Sequence, residues 1–225
     1  ELIDWDPDGE RKMLAAMLYP YSHLPETQLI DVVDNLTSDE RINLVRRYVG
    51  DRSNRRHRPG RALERLDYRF DVLGDYGGFR DLQRHRLLTI EWQSLTPDHG
   101  YEIPEAVTGA GLADRYDGAM ERSRALHECL LPEFPEQAPY AVSMAFRVRY
   151  VMQFNAREAL HLIELRSQPQ GHPNYRRIAQ EMYQQIAMRA GHRAVAEMFS
   201  HVDLTEGEDG RLQAEKASEA RRASQ

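Results

Sequence analysis

Apolar residues recur at helical spacing in three stretches near the start of the chain. Helices are therefore predicted over 10–20, over 25–35 and from Thr37 to Tyr48. The first ends at Pro20, which cannot continue a helix. The third begins with a threonine three residues before a glutamate, which is the spacing of a capping box.

Strict alternation of apolar and polar residues marks a different kind of segment. It occurs over 66–72 and again over 147–154, and each stretch predicts a half-buried strand. A β-branched and aromatic stretch over 87–93 predicts another strand. The glycine-rich residues 74–78 are expected to end the first of these strands.

Longer helical patterns cover 111–131, 155–166 and 173–202. Strands interleaved with longer helices, without regular βαβ spacing, predict an α+β fold. We expect one domain over 1–204. Residues 205–225 are rich in Glu, Arg and Ala without an apolar stripe, which predicts a charged tail, helical or disordered.

Composition narrows the class of protein. In 225 residues, 41% of them hydrophobic, no apolar run approaches the roughly 20 residues that cross a bilayer, and no signal peptide pattern is present. A single cysteine, Cys129, excludes an internal disulfide and most zinc sites, so we expect no metal and a reducing, cytoplasmic setting.

Charge argues against general nucleic-acid binding, because the net charge is −6. The positive charge is nearly all arginine, since Lys12 and Lys216 are the only lysines. An arginine therefore needs support from its position before it counts as a ligand. The basic, proline-broken segment from Arg52 to Arg61 leaves an RNA- or DNA-binding module as one alternative.

The run from Arg84-His85-Arg86 to Ser94 carries the first candidate chemistry. Each guanidinium presents a rigid fork of donors, which suits a phosphate or another planar anion. The alternative is an arginine-rich strand entrance held by surface carboxylates.

A second motif begins at Asn155, continues with Arg157 and His161, and closes at Arg166. Asn155 suits the first position of a helix, either as an N-cap alone or with its amide presented to a ligand. His161 lies one helical turn after Arg157, and a core or interface histidine is an equal alternative.

Together the two motifs resemble the flavin-dependent thymidylate synthases, over roughly residues 40 to 190. That family carries the signature Arg-His-Arg-x-x-Ser-x-Asn-Glu-x-Ser-x-Arg-Tyr, followed by an Asn-x-Arg helix that closes on Leu-Arg. The resemblance implies a mainly antiparallel sheet flanked by helices, and a homotetramer with active sites between subunits. It also implies reductive methylation of dUMP to dTMP with FAD as cofactor and with NADPH and methylene-tetrahydrofolate as co-substrates.

The resemblance assigns roles to matching positions. It implies flavin contacts for six residues: Arg84, His85, Arg86, Asn155, Arg157 and His161. It implies substrate contacts for Ser94 and Arg166, and Arg166 is the catalytic candidate because it matches the arginine that grips the pyrimidine near its reacting C5.

The nucleotide side departs from the family pattern. Trp92 stands at the signature glutamate, with Glu91 one position early, and Thr96 and Pro97 stand at the final arginine and tyrosine. Asp81 falls where a glutamine is expected, and Pro139 where an arginine is usual. Two lost charged contacts, at about 1.5–3 kcal/mol each, would weaken nucleotide binding by roughly two to four decades.

Three functions therefore remain open besides nucleic-acid binding. The chain is a thymidylate synthase, a methylase of another uridylate such as the ribonucleotide, or a non-catalytic or half-site member that completes a composite site with a paired homologous domain. Because the sequence begins at Glu1 rather than at methionine, we expect a trimmed chain or a piece of a longer one.

Overall fold

The computed structural model describes residues 1–205 and, beyond them, residues 216, 219, 220 and 222. Within this part a four-stranded antiparallel sheet is accompanied by helices, so the predicted α+β class is confirmed. Nearly all of the predicted tail, 205–225, lies outside the described residues. None of the described helices is long and apolar enough to cross a bilayer.

The four strands are β1 (Leu2–Trp5), β2 (Asp67–Asp75), β3 (Thr89–Trp92) and β4 (Arg147–Asn155), in the order β1-β2-β4-β3. Alternate residues of β2 and β4 are buried, as the sequence pattern predicts. β1 was not predicted, because four residues are too few to establish a period. It pairs antiparallel with β2 and places Leu2 opposite Phe70.

Over residues 1–205 the structure contains nine helices, with short 3₁₀ turns between some of them. They are α1 (Gly9–Leu18), α2 (Glu26–Asp34), α3 (Ser38–Val49), α4 (Tyr76–Leu82), α5 (Glu105–Gly109), α6 (Ala113–Leu130), α7 (Ala156–Arg166), α8 (Pro173–Met188) and α9 (Arg193–Ala196). The capping box that begins α3 is present, since Thr37 and Glu40 bond each other's backbone N–H.

Two predicted boundaries are wrong. The helix predicted over 173–202 ends at Met188, because Gly191 has a φ of 72°, which a right-handed helix does not contain. The helix predicted over 111–131 begins at Ala113, after the separate helix α5. β2 ends at Asp75, within the glycine-rich residues 74–78 that were expected to end it, and the Asp75 carboxylate then caps α4.

The chain is divided into two compact units. The prediction of a single domain over residues 1–204 stays a prediction. Unit 1 comprises Glu1–Asp71, His85–Ile90 and Val151–Gln225, and unit 2 comprises Val72–Arg84 and Glu91–Tyr150. The core of unit 1 includes the stacked rings of Phe70 and Phe154, with centroids 5.6 Å apart. The core of unit 2 is built around three buried side chains, Met120, Val142 and Phe146.

A buried ion pair anchors the basic segment in unit 1. The Arg52 guanidinium donates two bonds of 2.6 Å to the two carboxylate oxygens of Glu164 in α7, and the side chains are only 3% and 1% exposed. Arg52 also donates to the carbonyl oxygens of Arg55, His57 and Met198. Arg52 therefore holds its loop against α7 instead of contributing to a solvated basic face.

A buried histidine gives unit 1 a pH-dependent stability. The Nδ1 atom of His192 lies 2.9 Å from the Tyr68 hydroxyl, and burial lowers the pKa of His192. The unfolded chain then binds this proton at a higher pH than the folded chain does. We expect the free energy of unfolding to fall as pH drops below about 6.5, by about 1.4 kcal/mol for each unit of pKa difference.

Urea unfolding at about pH 7.5 and about pH 5.5 checks this expectation, because only titrating groups change between the two conditions. His192→Gln should lower stability at the higher pH and reduce the loss on acidification. His23→Gln, at an exposed position, is the control and should leave that loss unchanged. An equal loss in His192→Gln and in the unmutated chain would contradict the assignment.

Candidate functional site

The junction between β4 and α7 fixes the start of the site. Asn155 is the last residue of β4, has extended backbone, and caps α7 by accepting a 3.0 Å bond from the Glu158 N–H at its Oδ1. The next residue, Ala156, donates to the Leu66 carbonyl over 2.7 Å. Because Oδ1 is used in the cap, the Asn155 amide nitrogen is the part that suits a ligand's acceptor atom.

Two side chains of this helix, Glu158 and Arg166, are joined in a hydrogen-bonded chain by His85, which lies between α4 and β3. Glu158 Oε1 lies 2.8 Å from His85 Nδ1, and both side chains are only 4% exposed. On the other side of the imidazole, Arg166 Nε donates to His85 Nε2 over 3.1 Å. Since a guanidinium only donates, Nε2 must carry a lone pair, and the proton of a neutral His85 then lies on Nδ1, directed at the Glu158 carboxylate.

Arg166 is held by a second contact as well. Its guanidinium carbon lies 5.4 Å from the ring centroid of Tyr175 in α8, within the range of a cation–π interaction. Arg166 occupies the last turn of α7, where the helix dipole favours a positive charge. The orientation of this arginine is therefore set by an imidazole at one edge and an aromatic ring beside it.

Arg157 is fixed by the segment that precedes β2. Its Nη1 donates to Glu64 over 2.8 Å and its Nε donates to the Pro59 carbonyl over 3.2 Å. Hydrogen bonding from Arg61, and then from Arg157, holds the pKa of the Glu64 carboxyl below its usual range. These two contacts use two of the five N–H donors that a guanidinium offers.

His161 completes the cluster on α7. Its ring centroid lies 5.4 Å from that of His85, at a tilt of 58°. Desolvation lowers the pKa of His161, the Glu158 carboxylate opposes that shift, and the positive charges of Arg58 and Arg55 reinforce it. The predicted residues His85, Asn155, Arg157, His161 and Arg166 thus belong to one unit. Within it, His85 is hydrogen-bonded to Glu158 and Arg166 and lies beside the ring of His161.

The same cluster has the geometry of a possible metal site. Ligand atoms of His85, Glu158 and His161 lie within 4.8 Å of one another. However, Arg166 donates to the imidazole that would have to bind the ion, and positive charge at Arg55 and Arg58 acts on His161. Coulomb repulsion in this setting disfavours a cation and favours an anionic or hydrogen-bond-accepting ligand.

The other predicted residues are exposed. Arg86 lies in unit 1 beside His85 in sequence. Arg84 and Ser94 fall in unit 2, where Ser94 follows β3, and Arg84 is 71% exposed and pairs with Asp81 over 3.9 Å.

The departures from the family signature take part in local structure in unit 2. Trp92 is 51% exposed and packs on Phe79, with centroids 5.5 Å apart, and Phe79 packs on Tyr150 at 4.7 Å. The Thr96 hydroxyl accepts the Asp98 N–H, which begins a 3₁₀ turn whose first residue, Pro97, is buried. Another such turn, Ala138–Ala141, contains Pro139 at its start.

Sequence reasoning missed Glu158 and Tyr175 as parts of the site. Glu158 stands three residues after Asn155, at capping-box spacing, so its sequence context predicts a bond back to the cap. The side chain instead reaches His85, 73 residues away in the chain. The position of Glu158, three residues after the cap, was the only sign of it in the sequence. That its carboxylate faces His85 is visible only in the folded structure.

These residues fit a flavin by the chemistry of their donors. The ring edge of a flavin offers carbonyl oxygens and nitrogen atoms as acceptors, and FAD adds a pyrophosphate. The capped Asn155 leaves its amide donor, and Arg157 and Arg166 add guanidinium donors in fixed orientations. Within unit 1, Arg86, Asn155, Arg157 and His161 are the residues that would hold it.

Comparison with known families agrees with the motifs. A family model described as thymidylate synthase complementing protein matches residues 1–198. A UPF0159 protein from Chlamydia pneumoniae is 39% identical over 220 residues, and one from Thermoplasma acidophilum is 34% identical over 218. These matches cover 97% and 95% of this chain but only 41% and 43% of the relatives, so the chain spans about two fifths of their length.

Solved structures share the fold at low sequence identity. A UMP/dUMP methylase, PolB, from Streptomyces cacaoi, bound with 5-Br dUMP, aligns at a TM-score of 0.67 and 20% identity, over 90% of this chain and 95% of that one. Thymidylate synthase X (ThyX) from Helicobacter pylori, with FAD and dUMP, aligns at 0.59 and 16%, over 89% and 98%.

Proposed function

Because the chain belongs to the thymidylate synthase complementing protein family, we propose that it methylates a uridylate in a flavin-dependent reaction. The reaction is the reductive methylation of dUMP to dTMP, with methylene-tetrahydrofolate as one-carbon donor and NADPH as reductant. FAD, when bound, supplies the hydride chemistry. The protein supplies binding, orientation and electrostatic stabilisation.

The observation that carries this proposal is the hydrogen-bonded chain Glu158–His85–Arg166. It joins the two sequence motifs, which lie far apart in the chain, through a single imidazole. An arginine whose orientation is fixed before the ligand binds loses little freedom on binding. Arg166 is therefore suited to donate to a pyrimidine carbonyl oxygen and to stabilise negative charge that develops there during reaction.

The remaining residues divide between the flavin and the nucleotide. The Asn155 amide and the Arg157 guanidinium donate to the flavin, and His161 contacts it. Arg84 and Arg86 neutralise the charge of the FAD pyrophosphate, and the Ser94 hydroxyl donates to the nucleotide. His85 acts through Arg166, because both of its ring nitrogens already have partners.

Tritium release tests the reaction directly. The purified chain is incubated with dUMP labelled at C5, FAD, NADPH and methylene-tetrahydrofolate, and the release of tritium to water is measured. Turnover that depends on all four components is the expected result. Neither tritium release nor nucleotide-dependent NADPH oxidation would be seen if the proposal is wrong.

Two observations favour specific alternatives, and the same assay separates them. The altered nucleotide positions, and the fold shared with a UMP/dUMP methylase, favour UMP as a second substrate. In that case labelled UMP releases tritium. The length of the relatives, which extend well beyond the matched region, favours a half-site that needs a paired homologous domain. In that case the chain is inactive alone, and activity appears only after addition of the part of a full-length relative that lies outside the matched region.

A homo-oligomer, with a tetramer as the expected form, and a cytoplasmic location belong to the same proposal. Both rest on the family resemblance. Sedimentation of the purified chain tests the first, since a monomer in the presence of FAD would contradict it.

Substitution of Asn155 separates its cap from its proposed ligand contact. Asn155→Asp keeps an oxygen that accepts the Glu158 N–H, so stability should change by less than about 0.5 kcal/mol. It removes the amide donor, so FAD affinity should fall about tenfold, which corresponds to about 1.4 kcal/mol. Fluorescence titration with FAD measures this, and Asn155→Ala should lose both properties. Equal FAD affinity in Asn155→Asp would make Asn155 a cap and nothing more.

A further inference from the structure

We propose that Glu158 is a positioning residue that fixes the tautomer of His85 and thereby the orientation of Arg166. No sequence motif of the resemblance includes Glu158. Its effect on catalysis rests on the proposed function, whereas its effect on the tautomer does not. The two are therefore tested by separate measurements.

The two hydrogen-bond partners of His85 fit one tautomer of its ring. A neutral imidazole has one N–H donor and one acceptor nitrogen. An ionised carboxylate only accepts, so Glu158 requires the proton on Nδ1, 2.8 Å away. Nε2 is then an acceptor, which matches the Nε–H that Arg166 directs at it over 3.1 Å.

The other tautomer of His85 does not fit these two partners. With its proton on Nε2, His85 would point an N–H at the Arg166 N–H, and its bare Nδ1 would face the Glu158 carboxylate. Both contacts would become repulsive. Because the side chains of His85 and Glu158 are only 4% exposed, water cannot relieve that conflict easily. One carboxylate therefore determines, through the imidazole, whether Arg166 has an acceptor for its Nε–H.

The Glu158 carboxylate has no competing role in capping α7. The N-cap uses the Glu158 backbone N–H and the Asn155 side chain, so the Glu158 carboxylate is not needed to cap the helix. The second buried glutamate of α7, Glu164, differs in this respect, because it neutralises Arg52. The two residues provide a matched pair: both are buried on one helix, and only one faces His85.

Nitrogen NMR of the histidine side chains tests the inference without substrate or cofactor. The chain contains 9 histidines, and the His85 signals are identified by their loss in His85→Gln. In the unmutated chain, the Nδ1–H tautomer of His85 is expected. In Glu158→Leu, which leaves the Nδ1–H facing an apolar side chain, the Nε2–H tautomer should become populated at the expense of the bond from Arg166. In Glu158→Gln, which can still accept at its oxygen, the Nδ1–H form should persist.

Controls separate this effect from a general loss of stability. Glu164→Gln should lower stability and leave the His85 tautomer unchanged, and Glu181→Gln, at an exposed position of α8, should change neither. The Nε2–H form or a doubly protonated ring in the unmutated chain would overturn the proposal, even if Glu158→Leu fails to fold. An unchanged tautomer in folded Glu158→Leu would overturn it too.

If the chain is active, the kinetics give a second readout. Loss of a partner that orients a ligand residue commonly costs roughly 10–100-fold, and we expect kcat/KM for the uridylate to fall by that factor in Glu158→Leu. Glu158→Gln should restore most of it. If the tautomer changes in Glu158→Leu but neither the unmutated chain nor any variant is active, the proposed function is contradicted and the positioning role is supported. If the chain is active but Glu158→Leu leaves both the tautomer and kcat/KM unchanged, only the positioning role is contradicted.

Discussion

Arg52→Met is expected to destabilise the chain by roughly 3–5 kcal/mol, far more than the loss of an exposed arginine from a surface ion pair. The reason is the charge left behind, because Glu164 is 1% exposed and would lose both bonds from the guanidinium. Three backbone carbonyls would lose the same donor group. Urea unfolding followed by circular dichroism measures the change.

Two further variants show whether the buried charge is the cause. Arg52→Met combined with Glu164→Leu removes both charges and should recover a large part of the loss. Arg46→Met removes an arginine from an exposed pair with Glu197, at 2.7 Å, and should cost at most about 1 kcal/mol. A similar small cost for Arg52→Met would contradict the account of this pair.

Arg166→Lys is expected to lower kcat/KM for the uridylate by roughly 10²–10³-fold, the usual cost of losing a donor aimed at developing charge. Lysine keeps the positive charge but lacks the planar guanidinium, so it cannot bond His85 Nε2 and present further donors in a fixed direction at the same time. Tritium release from labelled uridylate at saturating FAD measures the loss.

Arg46→Lys is the matched control for that substitution, since Arg46 is exposed and lies outside the proposed site. Its kcat/KM should equal that of the unmutated chain. Full activity in Arg166→Lys would show that positive charge alone is sufficient and would remove Arg166 from its proposed catalytic role.

Local signals in the sequence were enough for much of the fold. The Thr37 and Glu40 capping box begins α3, and the alternation in β2 and β4 matches their buried residues. The cap at Asn155 begins α7. Each of these features depends on residues within a few positions of one another, which is the range over which sequence periodicity carries information.

Features that depend on distant parts of the chain were missed or misread. β1 has four residues and exists because β2 offers it a partner. Arg52 belongs to a run of arginines in sequence, yet it is buried because Glu164 lies 112 residues away in the chain and directly against it in the fold. Composition gives no signal of such a pairing.

In the candidate site too, local motifs were visible in the sequence and contacts between distant residues were not. His85, Asn155, Arg157, His161 and Arg166 were named from motifs, and their assigned roles toward a ligand remain proposals. Which of them touch each other, and through which atoms, depends on Glu158, a residue whose sequence context predicts a capping box. The tautomer of His85 was therefore beyond prediction from sequence.

The visible absorption spectrum of the purified chain tests the central claim most directly. The chain is incubated with excess FAD, separated from free flavin by gel filtration, and its flavin bands are recorded before and after addition of dUMP. The account predicts close to one flavin per chain and a change in the bands when the nucleotide binds. A folded chain that emerges without flavin bands would contradict it.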